Sequence, residues 1–547
     1  MNVRTLGDRY WEEILRLNPL LATQVGDERF DDRLPDPAPH GVERRRKAHA
    51  AALRDARRLC DGATDPWDRA ICDTVEAIAG PEVAGIDLGL YHLAPIDHLW
   101  GPGTLLEQIG SIQRVDDDDQ ASRYLRRLEA LAGYLDATGE LLLKPPPAPR
   151  APVLIVDRCI RQVEQVLGTS PEHSPVLRPF AHDEAPARSL AVNVLRSKTL
   201  PAYARYLMAL RAYREGARDT LGLVHVPGGL DMYRVCVERW TSLPLDPREV
   251  HEMGRSELEE IQRERLALAQ RLGAPDPAAA IAAYDATGRN RFASREDILR
   301  YAEEQVARGW DRAESFFGRL PARNCEVRAV DPSREADVLE YYLPPSAGGS
   351  RPGIYYVNTA NANDRPRHSL ASTTFHEANP GHHLQMALER EQPDRPALLR
   401  FGGELAGSAF VEGWGLYSER LADEMGLYLD DYERLGMLEL QAFRAARLVV
   451  DTGLHAFGWS RDQSIDVLRT TGLDPHRAAL ETDRYVAMPG QALAYKIGQI
   501  EIETSRRRAE RSLGADFSLA DFHDRVLTLG SVPLVTFRRA GQEGDTR

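Results

Sequence analysis

Residues 375 to 385 read "FHEANPGHHLQ", with His376 and Glu377 in the order of the H-E-x-x-H zinc site. That site works because residues four apart share one helix face. Two imidazoles then reach one ion at about 2.0 to 2.1 Å, and the glutamate between them polarises a water. Here the position four after His376 is Pro380, and the next histidines are His382 and His383. On an ideal helix His376 and His382 are roughly 240° apart around the axis, and His376 and His383 are ~10 Å apart along it, so neither pair chelates from a straight helix. Pro380 lacks an N–H and its ring collides with the carbonyl four residues back, while Gly381 tolerates a bulge. The spacing therefore predicts a helix kinked at 380–381, bringing His376 together with His382 or His383.

A catalytic zinc takes three protein ligands and keeps a fourth position for water, so a third ligand is expected downstream on a second helix. "SAFVEGWGLYSER" (408–420) supplies Glu412, with Gly413 and Gly415 allowing close helix packing. An unpaired carboxylate among such apolar neighbours is costly to bury, which favours a cationic partner. Glu419 is either an acceptor orienting a ligating imidazole or a surface glutamate. With one such ion, Glu377 is the expected base, activating water against an amide carbonyl and carrying the proton to the leaving nitrogen.

The developing oxyanion needs a further donor, for which Tyr485, Tyr495 and His455 are candidates. Asp451 and His455 are four apart and form a candidate orienting pair, although a structural histidine fits as well. "TDRYVAMPGQALAYKIGQ" (482–499) concentrates Arg484, Tyr485, Tyr495 and Lys496 around a Pro-Gly turn. Arg484 or Lys496 could hold a substrate carboxylate. "HEMGR" (251–255) repeats the His-Glu opening, but no Pro-Gly-His follows and it reads as a decoy.

The elements that must carry these residues are mostly helical. Leu6, Tyr10, Ile14 and Leu17 form one buried stripe at the three-to-four spacing, and similar stripes recur through the first 300 residues. Ser294 and Asp297 stand at capping-box spacing before another helix. "KPPPAPRAP" (144–152) cannot be helical and reads as a rigid connection. The run of four aspartates at 116–119 reads as a solvated helix edge or loop. "GIYYVNT" (353–359) is the strand candidate, flanked by Pro and Gly. It is read as a structural hairpin or as an edge strand pairing with extended substrate, with Tyr356 and Asn358 as substrate contacts. The expected fold is a large, mostly α protein with a deep cleft and a small β element beside the metal site. It divides into an N-terminal helical region (1–150), a middle helical region (151–330) and a catalytic region (331–547).

At 547 residues the chain exceeds one ordinary core. The balance of 69 basic and 83 acidic residues, net −14, argues against nucleic acid or an anionic membrane surface as partner. The N-terminal stretch lacks the pattern of an export signal, no run of ~18 apolar residues follows, and a cytoplasmic location is expected. Cys60, Cys72, Cys159, Cys236 and Cys325 are scattered without a C-x-x-C pair, so neither a disulfide framework nor a thiolate zinc site is expected.

"HEANPGHHLQ", "VEGWGLYSE" and "RYVAMPGQALAYKIGQ", with "SRPGIYYVNT" upstream, resemble the DUF885 family, placed among gluzincin-type zinc metallopeptidases. The likeness is specific over about 340–500. It implies Glu412 as third ligand, as in the N-E-G element of the M1 aminopeptidases. Dipeptidyl peptidase III is similar in delaying its second histidine behind a glycine (H-E-x-x-G-H), which favours His382 over His383. The resemblance implies one zinc ion and a hydrolase of short peptides. An amide hydrolase or tailoring enzyme acting on a small metabolite or amino-acid conjugate is the alternative, and a non-catalytic scaffold is the third reading.

Overall fold

The computed structural model describes residues 2–63, 65–144, 149–180, 186–332, 335, 340–346, 351–392 and 394–544. Helices dominate it, with one small sheet. Most of the expected N-terminal stripe is buried: along the helix Val3–Leu17, Leu6, Tyr10 and Ile14 are buried and Leu17, at its end, is half-buried, while Asn2 caps the start by accepting from Thr5 N. Ser294 caps the helix Arg295–Ala313 by accepting from Asp297 N. The aspartate run caps and opens the helix Asp118–Leu142, Asp117 accepting from Gln120 N. Residues 145–148 of the proline-rich connection lie outside the described residues.

Two apolar cores organise the helices, and they do not follow sequence order. One joins N-terminal residues such as Tyr10 and Ile71 to Phe375, Trp414, Leu448 and Phe537 near the other end. The second gathers Tyr124, Leu128, Val156 and Tyr206 against Ala446, Val450 and Tyr485. The 27-residue helix Asp431–Phe457 feeds both, Leu435 and Ala442 turning to the first and Phe443 and Leu454 to the second. A helix that is apolar on opposite faces is buried between layers. It is held at its start by Asp430, which accepts from Tyr432 N and Glu433 N, and stopped by Gly458 at φ 69°.

The sheet contains β1 (Glu326–Ala329), β2 (Glu340–Leu343) and β3 (Ile354–Val357) in the order β1-β3-β2, parallel then antiparallel. The strand read in "GIYYVNT" is therefore present, but the edge-strand expectation is corrected. β3 is the central strand and its backbone groups are paired on both sides. Tyr356 stands opposite Tyr341 and stacks on it at 4.8 Å.

The cysteine reading is also corrected. Cys60, just after the helix Pro39–Leu59, is disulfide-bonded to Cys72 in the helix Pro66–Asp87. The spacing carried no motif because the bond depends on two helices folding back on each other. No helix among the described residues is long and apolar enough to cross a membrane.

Candidate metal centre

His376 occupies the last turn of the helix Arg367–Glu377. There the helix ends rather than bends. Ala378 leaves helical geometry (φ −104°, ψ −109°), the Asn379–Pro380 peptide is cis, and a separate helix, His382–Arg390, begins after Gly381. The expected kink is thus a full break, consistent with the missing N–H of proline. Its turn is tied from three sides. Trp414 Nε1 donates to the Pro380 carbonyl at 3.0 Å, Asn379 Nδ2 donates to Asn324 Oδ1 at 2.7 Å, and His383 N returns to the Ala378 carbonyl at 3.1 Å.

The break turns the rings of His376 and His382 towards each other, centroids 4.7 Å apart and nearly perpendicular. Glu412 comes from the helix Gly403–Glu424, which is itself kinked at Gly407. Its Oε2 lies 3.7 Å from His376 Nε2 and 3.7 Å from His382 Nε2. These separations exceed a good hydrogen bond. They are close to the ~3.4 Å between ligand atoms of a tetrahedral ion with bonds near 2.1 Å. Glu377 belongs to the same cluster: ligand atoms of His376, Glu377 and His382 all lie within 4.8 Å of one another. The donor set of two imidazole nitrogens and carboxylate oxygen is that of a zinc site, and these residues fit one ion.

The glutamate helix can come this close because of its glycines. A Cβ on Gly415 would stand 2.6 Å from His376 Nε2. Gly413 meets Gly498 of the helix Ala494–Leu513 backbone to backbone. Behind His376, Glu419 is fully buried and faces Nδ1 at 2.9 Å. It also accepts from Gln441 Nε2 at 3.2 Å, and Arg444 lies 3.8 Å away. The orienting role considered for Glu419 is the one its position allows, since a ligating histidine usually donates its other N–H to such an acceptor.

The electrostatics reflect crowded charge. Burial disfavours protonated His376, but Glu412 and Glu419 outweigh it and hold its pKa up at about 9. Burial also works against the Glu412 carboxylate, yet His376 and His382 hold it well below the ordinary range. Glu377 is pushed up by burial, the two histidines offsetting part of the effect. Glu412 keeps 23% of its side chain exposed, so solvent reaches the cluster.

His383 is committed elsewhere. Its Nδ1 meets the Tyr342 hydroxyl at 2.8 Å and its Nε2 the Arg323 carbonyl at 3.0 Å, and burial lowers its pKa to about 4. His455 is likewise held by backbone: Leu223 N donates to Nδ1 at 3.3 Å and Nε2 faces the Tyr485 carbonyl at 3.0 Å. Asp451, expected from its spacing to orient His455, instead accepts from the Tyr233 hydroxyl at 2.6 Å and from Gly490 N at 3.0 Å. Lys496 is buried against Glu257 at 3.0 Å and donates to Gln499. Asn358 donates to the Glu335 carbonyl and accepts from Ala360 N. His251 of the decoy pairs with the Thr452 hydroxyl. Tyr485 and Tyr495 gather instead around Arg447, and Arg484 stands near Glu481, the carboxylate that Arg447 also contacts; Arg447 itself sits in an ordinary helical stretch with no motif to mark it.

The sequence pattern of DUF885, described as a bacterial protein of unknown function, matches residues 19–540. The chain belongs to the DUF885 family. No curated protein sequence matches it. Among solved structures it is similar to a "putative lipoprotein" from Colwellia psychrerythraea, at 24% identity and a TM-score of 0.89, over 99% of this chain and 98% of that one. It is also similar to a "putative lipoprotein of unknown function" from Shewanella oneidensis, at 17% identity and a TM-score of 0.77, over 98% and 99%. At these identities the likeness establishes a shared fold, over nearly the whole length of the chains compared.

Proposed function

We propose that this DUF885 protein is a zinc-dependent hydrolase of the gluzincin type, cleaving amide bonds of short peptides or of small amino-acid conjugates. The observation that carries the reading is the Glu412 carboxylate, equidistant at 3.7 Å from the Nε2 atoms of two buried histidines six positions apart in sequence. His376, His382 and Glu412 would hold the ion. When bound, zinc supplies Lewis-acid polarisation of a carbonyl and of a water.

The chain's own groups divide the remaining work. Glu419 fixes the ring of His376 through Nδ1, leaving Nε2 directed at Glu412. Glu377 stands beside the ligand cluster with its carboxyl pushed up by burial, which suits a group that takes a proton and then gives it to a leaving nitrogen. Elemental analysis of purified protein is expected to find about one zinc per chain. Glu377→Gln is expected to keep that zinc while turnover of a peptide, N-acyl amino acid and small-amide panel falls by at least ~100-fold, the usual scale for removing a general base. Protein without stoichiometric metal, or full activity in the variant, would overturn the proposal.

A further inference from the structure

Arg447 is 4% exposed, yet its guanidinium is not fully satisfied. Nε donates to the Tyr485 hydroxyl at 3.0 Å and Nη2 to Glu481 at 3.2 Å, while Nη1 is buried with no hydrogen-bond partner. Its Cζ lies 4.4 Å from the ring centroids of both Phe443 and Tyr495. Ring contacts of this kind engage a guanidinium through its face and leave its edge for polar contact. A second cation shares the same carboxylate: Arg484 Nη1 stands 3.7 Å from Glu481, too far for a good hydrogen bond, and its Nη2 donates to Gln491. Two guanidiniums around one carboxylate leave an unneutralised positive charge. Arg484, Glu481 and Tyr495 are partly exposed, so the cluster meets solvent beside the buried arginine.

The cluster is connected to the ligand set along the central helix. Arg444, one turn before Arg447, approaches Glu419, which in turn faces His376. Three residues of helix advance ~4.5 Å, which places Arg447 on the next turn of the same helix. Lys496, the other cation expected to bind a substrate acid, is already neutralised by Glu257.

We propose that Arg447 and Arg484 form a subsite for a carboxylate of the substrate. The hydrolase would then select peptides or N-acyl amino acids with a free acid over neutral amides. What is hydrolysed rests on the zinc reading above, whereas what is bound does not. The planar fork of Arg447, already fixed by Tyr485 and Glu481, presents Nη1 to one carboxylate oxygen, and Arg484 supplies donors to the other.

The test uses the full chain and two arms. In a binding arm, benzoylglycine and benzoylglycine amide are titrated by calorimetry against the wild-type site, Arg484→Gln and Arg447→Lys, each carrying Glu377→Gln so that neither ligand is turned over. The acid is expected to bind the wild-type site at least ~10-fold more tightly than the amide, and either variant is expected to lose most of that preference. Arg484 is partly exposed, so its variant remains informative should the Arg447 variant fold poorly. In the second arm, the kcat/KM ratio of a free dipeptide to its C-terminal amide is expected to fall about tenfold in Arg484→Gln, mainly through KM. Equal binding of acid and amide to the wild-type site, or an unchanged preference in Arg484→Gln, would overturn the subsite. A chain that binds the acid selectively but hydrolyses nothing would leave the subsite standing and sink the hydrolase, so the two failures are separable.

Discussion

At the scale of single residues, the candidate centre depends on a place where a side chain is missing. Gly415 lies on the helix that carries Glu412, and an added Cβ would stand 2.6 Å from the His376 nitrogen that faces Glu412. Contacts that short force the ring to move. Gly415→Ala is therefore expected to fold, since alanine favours helix, but to bind zinc about tenfold or more weakly in chelator competition. Unchanged zinc affinity would mean that His376 is not held as a ligand. The donor set of this candidate centre was legible in "FHEANPGHHLQ" and "VEGWG", because the donor types and the Pro-Gly interruption are local. The choice between His382 and His383 was not local. It is made by Tyr342 and by the Arg323 carbonyl, which occupy both nitrogens of His383 from 41 and 60 positions away. For the same reason His455 and Lys496 read as free donors in the sequence. Their partners, Leu223 and Tyr485 backbone for one and Glu257 for the other, arrive only with the fold.

Among the elements, helix positions followed from periodicity and capping residues, while their pairings did not. The strand in "GIYYVNT" was legible from its β-branched and aromatic content, but its central place needed β1 and β2 to flank it. The helix pair Pro39–Leu59 and Pro66–Asp87 gives another case, because its disulfide joins cysteines with no recognisable spacing. Closing a loop of this length is worth roughly 3 kcal/mol in the chain-entropy account. Cys60→Ser is accordingly expected to lower stability by about 2 to 3 kcal/mol. Because reducing compartments keep thiols free, the bond also tests the expected cytoplasmic location. With the bond intact, alkylation of freshly extracted, denatured protein should label Cys159, Cys236 and Cys325 and spare Cys60 and Cys72. Mass spectrometry showing all five labelled would mean that the bond does not form where the protein resides.

For the whole molecule, the central helix Asp431–Phe457 ties two cores together, and it carries a fully buried acid at a junction of three segments. Asp451 accepts from the Tyr233 hydroxyl at 2.6 Å and from Gly490 N at 3.0 Å. Burial raises its pKa to about 7, more than those two donors lower it. An unfolded aspartate titrates near 3.9. Between about pH 4 and pH 7 the folded chain therefore holds a proton here that the unfolded chain has released. Stability contributed by the neutral acid is full below about pH 4, declines as pH rises, and is lost above about pH 7. The slope cannot exceed ~1.4 kcal/mol per pH unit, so the loss amounts to a few kcal/mol over this interval. Asp451→Asn stays neutral at every pH and keeps an oxygen to accept from Tyr233. Urea midpoints measured at pH 5 and pH 8 are expected to differ less in Asp451→Asn than in wild type, the variant being the more stable of the two at pH 8. Equal pH dependence in both proteins would show that the junction accommodates the carboxylate without cost, and that the coupling of the two cores through this helix does not depend on its charge.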